Sequence, residues 1–137
     1  MNRRTSITFL SLILAQAGHS IEEYYTRLFE ILAPARFISG LLSDDLRTGF
    51  IIFNFSLVAF GLWCYLVPFR HRTLLTLALA WFWAVLELFN GSAHLIWASS
   101  ARAYRPGVFT APILVGLALA LAWQLRHLPA STQRAGA

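Results

Sequence analysis

Three ionisable side chains, His19, Glu22 and Glu23, interrupt the first apolar stretch of this chain. Their spacing of i, i+3 and i+4 puts all three on one helical face, within an arc of about 100°. An ionisable group inside an apolar helix is energetically costly unless it is paired or hydrated. The pattern therefore predicts a polar site that faces the interior of a helix bundle.

A second group of the same character lies further along the chain. Glu87, Asn90 and His94 are spaced i, i+3 and i+7 in the third apolar stretch, within an arc of about 60°. Counted from the predicted starts of their helices, both groups lie about 20 Å along the helix axis. We therefore expect the two groups to face each other across a shared pocket.

Two more residues are predicted to bind a substrate in that pocket. The second apolar stretch enters the membrane from the opposite face, and Asn54 then lies at a depth comparable to that of the two groups. Thr110 begins the last apolar stretch at that same face. A pocket lined by all four helices follows from these positions. For Asn54, an interhelical hydrogen bond is the competing interpretation, since amides commonly join helices in this way.

The composition indicates lipid as the solvent. Of the 137 residues, 58% are hydrophobic and 12% are charged, and that charged share is about half of what a soluble domain carries. The net charge of +5 comes mostly from arginines at the ends of apolar stretches, which is where membrane proteins place them. No basic face for a nucleic acid is present. The single cysteine, Cys64, excludes an internal disulfide and a cysteine-based zinc site.

Four apolar stretches are long enough to cross a bilayer as helices. They cover about residues 5–25, 49–68, 73–98 and 108–125. The predicted fold is an all-α four-helix transmembrane bundle, a single domain over 1–128 with a disordered tail at 129–137. The connection between the first two spans mixes apolar and charged residues and contains Pro34, so it predicts an amphipathic segment at the membrane interface. Residues 68–72 are predicted to form a tight basic turn.

The orientation in the membrane depends on a small difference in charge. Arginine doublets near the chain start and in the 68–72 turn favour both termini in the cytoplasm. A rival interpretation is a secretory signal in residues 1–17, which end in an Ala-Gln-Ala cleavage pattern. Cleavage there would leave the first polar group at a free, hydrated end of the chain.

Three motifs resemble those of a known family. They are His-Ser-Ile-Glu-Glu at 19–23, Asn-Gly-Ser-Ala-His at 90–94, and Tyr-Arg-Pro-Gly at 104–107 before the last apolar stretch. In this order they resemble the signatures of the HXXEE family of small, mainly bacterial integral membrane proteins, and the resemblance covers nearly the whole chain. It implies a bacterial inner-membrane protein with its site residues in these motifs. It implies no particular reaction.

The first hypothesis for this residue set is a divalent metal, iron or zinc. Inward-facing Glu and His at helical spacings are the ingredients of di-iron carboxylate sites, although here two helices supply nearly all of them. A single ion held by two imidazoles and one carboxylate fits equally well, with another Glu as the base. The candidate metal ligands are His19, Glu22, Glu23, Glu87 and His94. The candidate catalytic residues are Glu22, Glu23, Glu87, Asn90 and His94.

Other functions remain open at this stage. Metal-free acid–base chemistry by Glu22 or Glu23 with His94 would suit an isomerase or hydrolase acting on a lipid or another hydrophobic substrate. A proton or cation pathway through Glu87 and a structural membrane subunit are the non-enzymatic alternatives. Glu22 and Glu23 could instead lie at the interface, where charges are tolerated. The sequence leaves homo-oligomerisation open.

Overall fold

The described part of the chain is entirely helical. The computed structural model describes residues 3–67 and 74–128, and these contain α1 (Arg3–Tyr25), α2 (Leu28–Ile31), α3 (Ala33–Leu42), α4 (Leu46–Leu66), α5 (Leu74–Ala101) and α6 (Ala111–Arg126). No strand occurs within these ranges. The predicted all-α class is confirmed for them. The predicted 68–72 turn and 129–137 tail lie outside the described residues.

Two of the helices, α4 and α5, are long and apolar enough to cross a membrane. The apolar helix α6 has 16 residues and is shorter than such a span. The 23-residue α1 is long enough, but it carries Arg and Glu residues at its two ends. Four spans and the orientation of the termini therefore stay predictions.

The connection from α1 to α4 folds into two short helices. Arg27 adopts φ 58° and ends the first helix, and Pro34 lies in the first turn of α3, where a missing N–H costs nothing. One face of α3 exposes Phe37 and Leu41 while Ser39 on its other face is buried. The segment is therefore amphipathic, as its sequence predicts.

The start of α4 is fixed by its cap and by α3. The Asp45 carboxylate accepts hydrogen bonds from the Thr48 hydroxyl and main-chain N–H, at 2.6 and 3.0 Å. These two bonds lower the pKa of Asp45, so the cap stays ionised at the positive end of the helix. Gly49 follows, and a Cβ there would lie 2.0 Å from the Ser39 carbonyl oxygen. Only glycine permits this close approach of α3 to α4.

An apolar core joins α1, α4, α5 and α6 at one end of the bundle. Its largest member, Trp83, is fully buried and packs edge-on against Phe9 with ring centroids 6.5 Å apart. The Phe60 ring lies on its other side, at 6.1 Å. The core consists of Phe9, Leu12, Ile13, Cys64, Ala80, Trp83, Ala84, Leu114, Ala118, Leu121 and Leu125. It holds the helices in register for the polar residues at the other end.

Candidate metal centre and cavity

Two histidines and a glutamate meet between α1 and α5. The Oε1 atom of Glu23 lies 3.3 Å from His19 Nε2 and 3.1 Å from His94 Nε2. The two imidazole rings meet edge to face, with centroids 4.8 Å apart. All three residues are at most 5% exposed. One ligand atom from each residue lies within 4.8 Å of the other two, so this group could hold a metal ion.

The main chain sets the tautomer of His94. Its Nδ1 lies 2.6 Å from the carbonyl oxygen of Pro106, which can only accept a hydrogen bond, so Nδ1 carries the proton. The other ring nitrogen, Nε2, faces Glu23. This is the arrangement in which metal-binding histidines are held by their second nitrogen.

The backbone reaches His94 through a glycine turn. Gly107 has φ +85°, a conformation that side chains disfavour. A Cβ at this position would lie 2.7 Å from both His19 Cε1 and His94 Nδ1. The Pro-Gly turn therefore packs against both imidazoles, where no larger residue fits.

His19 is oriented by a hydroxyl and a second carboxylate. Its Nδ1 lies 2.7 Å from Thr110 Oγ1, and that hydroxyl donates to Glu22 Oε2 at 2.7 Å. Because the one hydroxyl proton goes to Glu22, Thr110 accepts from Nδ1 of His19. The remaining nitrogen, Nε2, is buried and lies 3.3 Å from Glu23 Oε1. The Nε2 atoms of both imidazoles thus face the same carboxylate oxygen, Oε1 of Glu23.

Glu22 contacts a different part of the structure from its neighbour Glu23. Its carboxylate accepts from the main-chain N–H groups of Phe109 and Thr110, at 3.2 and 2.9 Å, and from the Tyr104 hydroxyl at 2.9 Å. It therefore caps the start of α6 from another helix. Partial burial and this carboxylate raise the pKa of the Tyr104 phenol, so that Tyr104 remains a donor at neutral pH.

A chain of amides and a hydroxyl crosses the bundle beside the cluster. The Asn90 amide donates to Glu87 Oε2 and Gln16 Oε1, each at 3.4 Å. Gln16 donates to Ser20 at 3.1 Å, and Ser20 donates to Asn54 Oδ1 at 2.7 Å. The chain links α5, α1 and α4. Glu87 Oε1 is left buried without a hydrogen-bond partner among the described residues.

Both polar groups border one cavity of about 460 Å³. Its polar lining comprises Gln16, Glu23, Ser39, Asn54, Glu87, Asn90 and His94. Apolar side chains cover the rest, chiefly from Phe50 and Phe53 on α4 and Leu86 and Phe89 on α5. Leu32 and Ile38 close it from the α2–α3 segment. A mostly apolar cavity with a few convergent polar groups is the usual form of a small-molecule site.

The predicted site residues take three different positions. His19, Glu23 and His94 form the cluster, while Glu87, Asn90 and Asn54 line the cavity next to it. Glu22 and Thr110 lie behind His19 and are not among the described residues that line the cavity. Glu22 and Glu87 contribute no atom to the candidate metal group.

Sequence reasoning gave no role to Gln16, Ser20 or the Pro106 carbonyl. For Gln16 a signal existed, because it stands three residues before His19 and seven before Glu23 on the same helical face. The carbonyl carries no side-chain signal at all. Its only trace in the sequence is the Pro-Gly pair that shapes the turn.

No family model, curated protein or solved structure matches this chain. The resemblance to the HXXEE family therefore stays a prediction.

Proposed function

We propose that the protein is an integral membrane enzyme that holds a zinc or iron ion between His19, Glu23 and His94. Two imidazoles with one carboxylate form the ligand set of several catalytic zinc sites and of non-haem iron sites that keep positions open for substrate. The observation that carries the proposal is the convergence of both Nε2 atoms on Glu23 Oε1, at 3.3 and 3.1 Å.

Two distances in the cluster are near those that tetrahedral coordination requires. Zinc binds nitrogen and oxygen at about 2.0–2.2 Å, which separates neighbouring ligand atoms by about 3.3–3.6 Å in a tetrahedron. The two nitrogen-to-oxygen separations, 3.3 and 3.1 Å, lie at or just below this range. An ion would also offset the cost of burying the Glu23 carboxylate.

The cavity supplies the place where a substrate would meet the cluster. Glu23 and His94 form part of its wall, and Glu87 and Asn90 stand beside them. When bound, the ion would act as a Lewis acid toward a polar group of the substrate. Glu87, with one oxygen free of hydrogen bonds, is the residue we assign to proton transfer. The apolar lining favours a lipid or another hydrophobic substrate.

A membrane location supports the same conclusion. The helices α4 and α5 are apolar enough to span, and large hydrophobic side chains such as Phe55, Phe89 and Ile113 are more than half exposed. Exposed apolar surface on this scale is unfavourable in water. We propose that α1 and α6 complete a four-span bundle around the site.

Metal content tests the proposal directly. The full chain is purified in detergent with and without oxygen, and its metals are measured by mass spectrometry. We expect stoichiometric iron or zinc, most of which is lost in His19→Ala and His94→Ala. His127→Ala is the matched control, because this exposed histidine lies at the end of α6. A wild type without stoichiometric metal in both preparations would refute the proposal, as would equal metal in His94→Ala and His127→Ala.

Metal-free acid–base chemistry is the second candidate, and one observation favours it. Hydrogen bonds connect the exposed Tyr104 through Glu22 and Thr110 to His19, and His19 lies next to Glu23. Such a chain can carry a proton between the surface and a buried site. This candidate predicts activity on a lipid substrate that persists after treatment with chelator, whereas the metal proposal predicts its loss.

A further inference from the structure

A groove on the outer face of α5 lies next to the cavity. This α5 groove, of about 510 Å³, is lined by Ala78, Trp81, Phe82, Val85, Leu86 and Phe89. Leu86 and Phe89 also line the cavity, so the two spaces are adjacent and share a wall. Contacts between α4 and α5 are sparse, which leaves the cavity accessible from the side of the bundle.

We propose that these two spaces together bind a single-chain amphiphile. Its uncharged hydroxyl head lies in the cavity at Glu87, and its hydrocarbon tail lies along α5 in the groove. This inference rests on the proposed function, because Glu23 and His94 form part of the same cavity wall. It adds the class of molecule on which that site acts.

The head group follows from the polar atoms that lack partners. Glu87 is fully buried, and its Oε1 has no hydrogen-bond partner among the described residues. A buried acceptor is costly when it is left unpaired, so a ligand that donates a hydrogen bond gains affinity there. A hydroxyl supplies this donor and can also accept, as it would from the Asn90 amide.

The charge of the cavity excludes the commonest anionic heads. Its ionisable lining residues are Glu23, Glu87 and His94, and no Lys or Arg of the described chain lines it. A phosphate or a carboxylate placed at Glu87 would therefore face that carboxylate without a guanidinium or ammonium beside it. An uncharged alcohol avoids this repulsion.

The tail follows from the length and chemistry of the groove. From Phe89 to Ala78 the helix advances about 16 Å at 1.5 Å per residue, which suits a medium or long hydrocarbon chain. All six groove residues are apolar, and Phe82, Val85 and Phe89 are about half exposed or more. In a bilayer, a chain could pass from the lipid into this groove without crossing a polar surface.

Photo-crosslinking in nanodiscs tests the proposal. The full chain is reconstituted in saturated phosphatidylcholine, and a long-chain alcohol with a photoreactive group in its tail is added. Labelled residues are identified by mass spectrometry. We expect labels to concentrate on the α5 groove and on Phe53. Unlabelled alcohol should compete at least about tenfold better than the alkane of equal chain length, since the alkane leaves the buried Glu87 oxygen unpaired.

Two pairs of variants locate the ligand. Ala93 lines the cavity, so Ala93→Trp places a large side chain where the ligand would lie. Ala59→Trp places the same side chain on an exposed part of α4 outside both spaces. Labelling should fall about tenfold in the first and remain in the second. Glu87→Leu removes the acceptor and should weaken competition by the alcohol, while Glu87→Gln keeps an acceptor oxygen and should restore it.

The outcomes separate this proposal from the proposed function. Even labelling over all lipid-exposed surfaces, or equal labelling of Ala93→Trp and Ala59→Trp, would overturn the amphiphile site. Such a result in metal-loaded protein would leave the metal centre standing. Concentrated labelling in a protein that carries no metal would instead support the amphiphile site and refute the metal centre.

Discussion

The helix α1 passes through two regions that are stabilised in different ways. Around Phe9 and Ile13 its neighbours are apolar, and the helices meet through interlocking side chains with Trp83 at the centre. Around His19 and Glu23 they meet through hydrogen bonds to hydroxyl, amide and carbonyl groups, and a cavity remains beside them. Apolar packing in the first region stabilises the bundle. The second region can therefore contain buried charge and an unfilled cavity.

This comparison predicts that substitutions in the two regions have different consequences. Changes in the apolar region should lower the stability of the whole bundle and leave the affinity of the cluster for metal unchanged. Changes in the polar region should alter affinity and leave stability nearly unchanged.

The largest effect is expected from Trp83→Ala in the apolar region. Removing this fully buried ring should lower the free energy of unfolding by about 3–5 kcal/mol, measured by denaturation in mixed micelles. Metal affinity of the folded fraction should not change. Trp123→Ala is the control, because that ring is 64% exposed and its removal should cost little. Loss of metal by folded Trp83→Ala would contradict the separation of the two regions.

A smaller effect, in the opposite region, is expected from Gly107→Ala. The new Cβ would lie 2.7 Å from atoms of both imidazoles and would occupy a left-handed backbone position. Metal affinity should fall about 100-fold, equivalent to about 2.7 kcal/mol, as measured by titration with zinc. The control is Gly116→Ala in α6, where a Cβ meets nothing within 4 Å. Unchanged affinity in Gly107→Ala would show that the turn does not position the histidines.

The smallest effect is expected from Glu22→Gln. The amide keeps one acceptor for the start of α6 but loses the charge that holds Thr110 toward His19. Metal affinity should fall about tenfold while stoichiometric binding persists at high zinc, because Glu22 orients a ligand without being one. Glu30→Gln, at an exposed ion pair with Arg27, should bind as the wild type does. A complete loss of binding would instead make Glu22 a ligand.

The sequence predicted the helical class because apolar runs of this length have few other solutions in lipid. It also predicted the break at Pro34, since proline ends a helix or begins one. Helix ends were harder to predict. The last helix was expected from about residue 108 but begins at Ala111, because residues 104–110 form the turn that reaches the histidines.

Within the first motif, spacing could not decide which glutamate faces the histidines. Relative to His19, positions i+3 and i+4 lie about 60° to one side and 40° to the other, so both Glu22 and Glu23 share its face. Their separation depends on where α5 and α6 lie. Glu23 meets His94 on α5, and Glu22 meets the start of α6. Such tertiary placement is absent from any local pattern.

The hydrogen bond from His94 to the Pro106 carbonyl has one more consequence. A main-chain oxygen is present whatever residue occupies its position, so no exchange of side chain at 106 deletes the acceptor itself. What can displace that atom is a change in the number of residues between α5 and α6. The histidine therefore constrains the length of this connection more tightly than its composition, and a one-residue insertion there should disturb the cluster more than most point substitutions in the same segment.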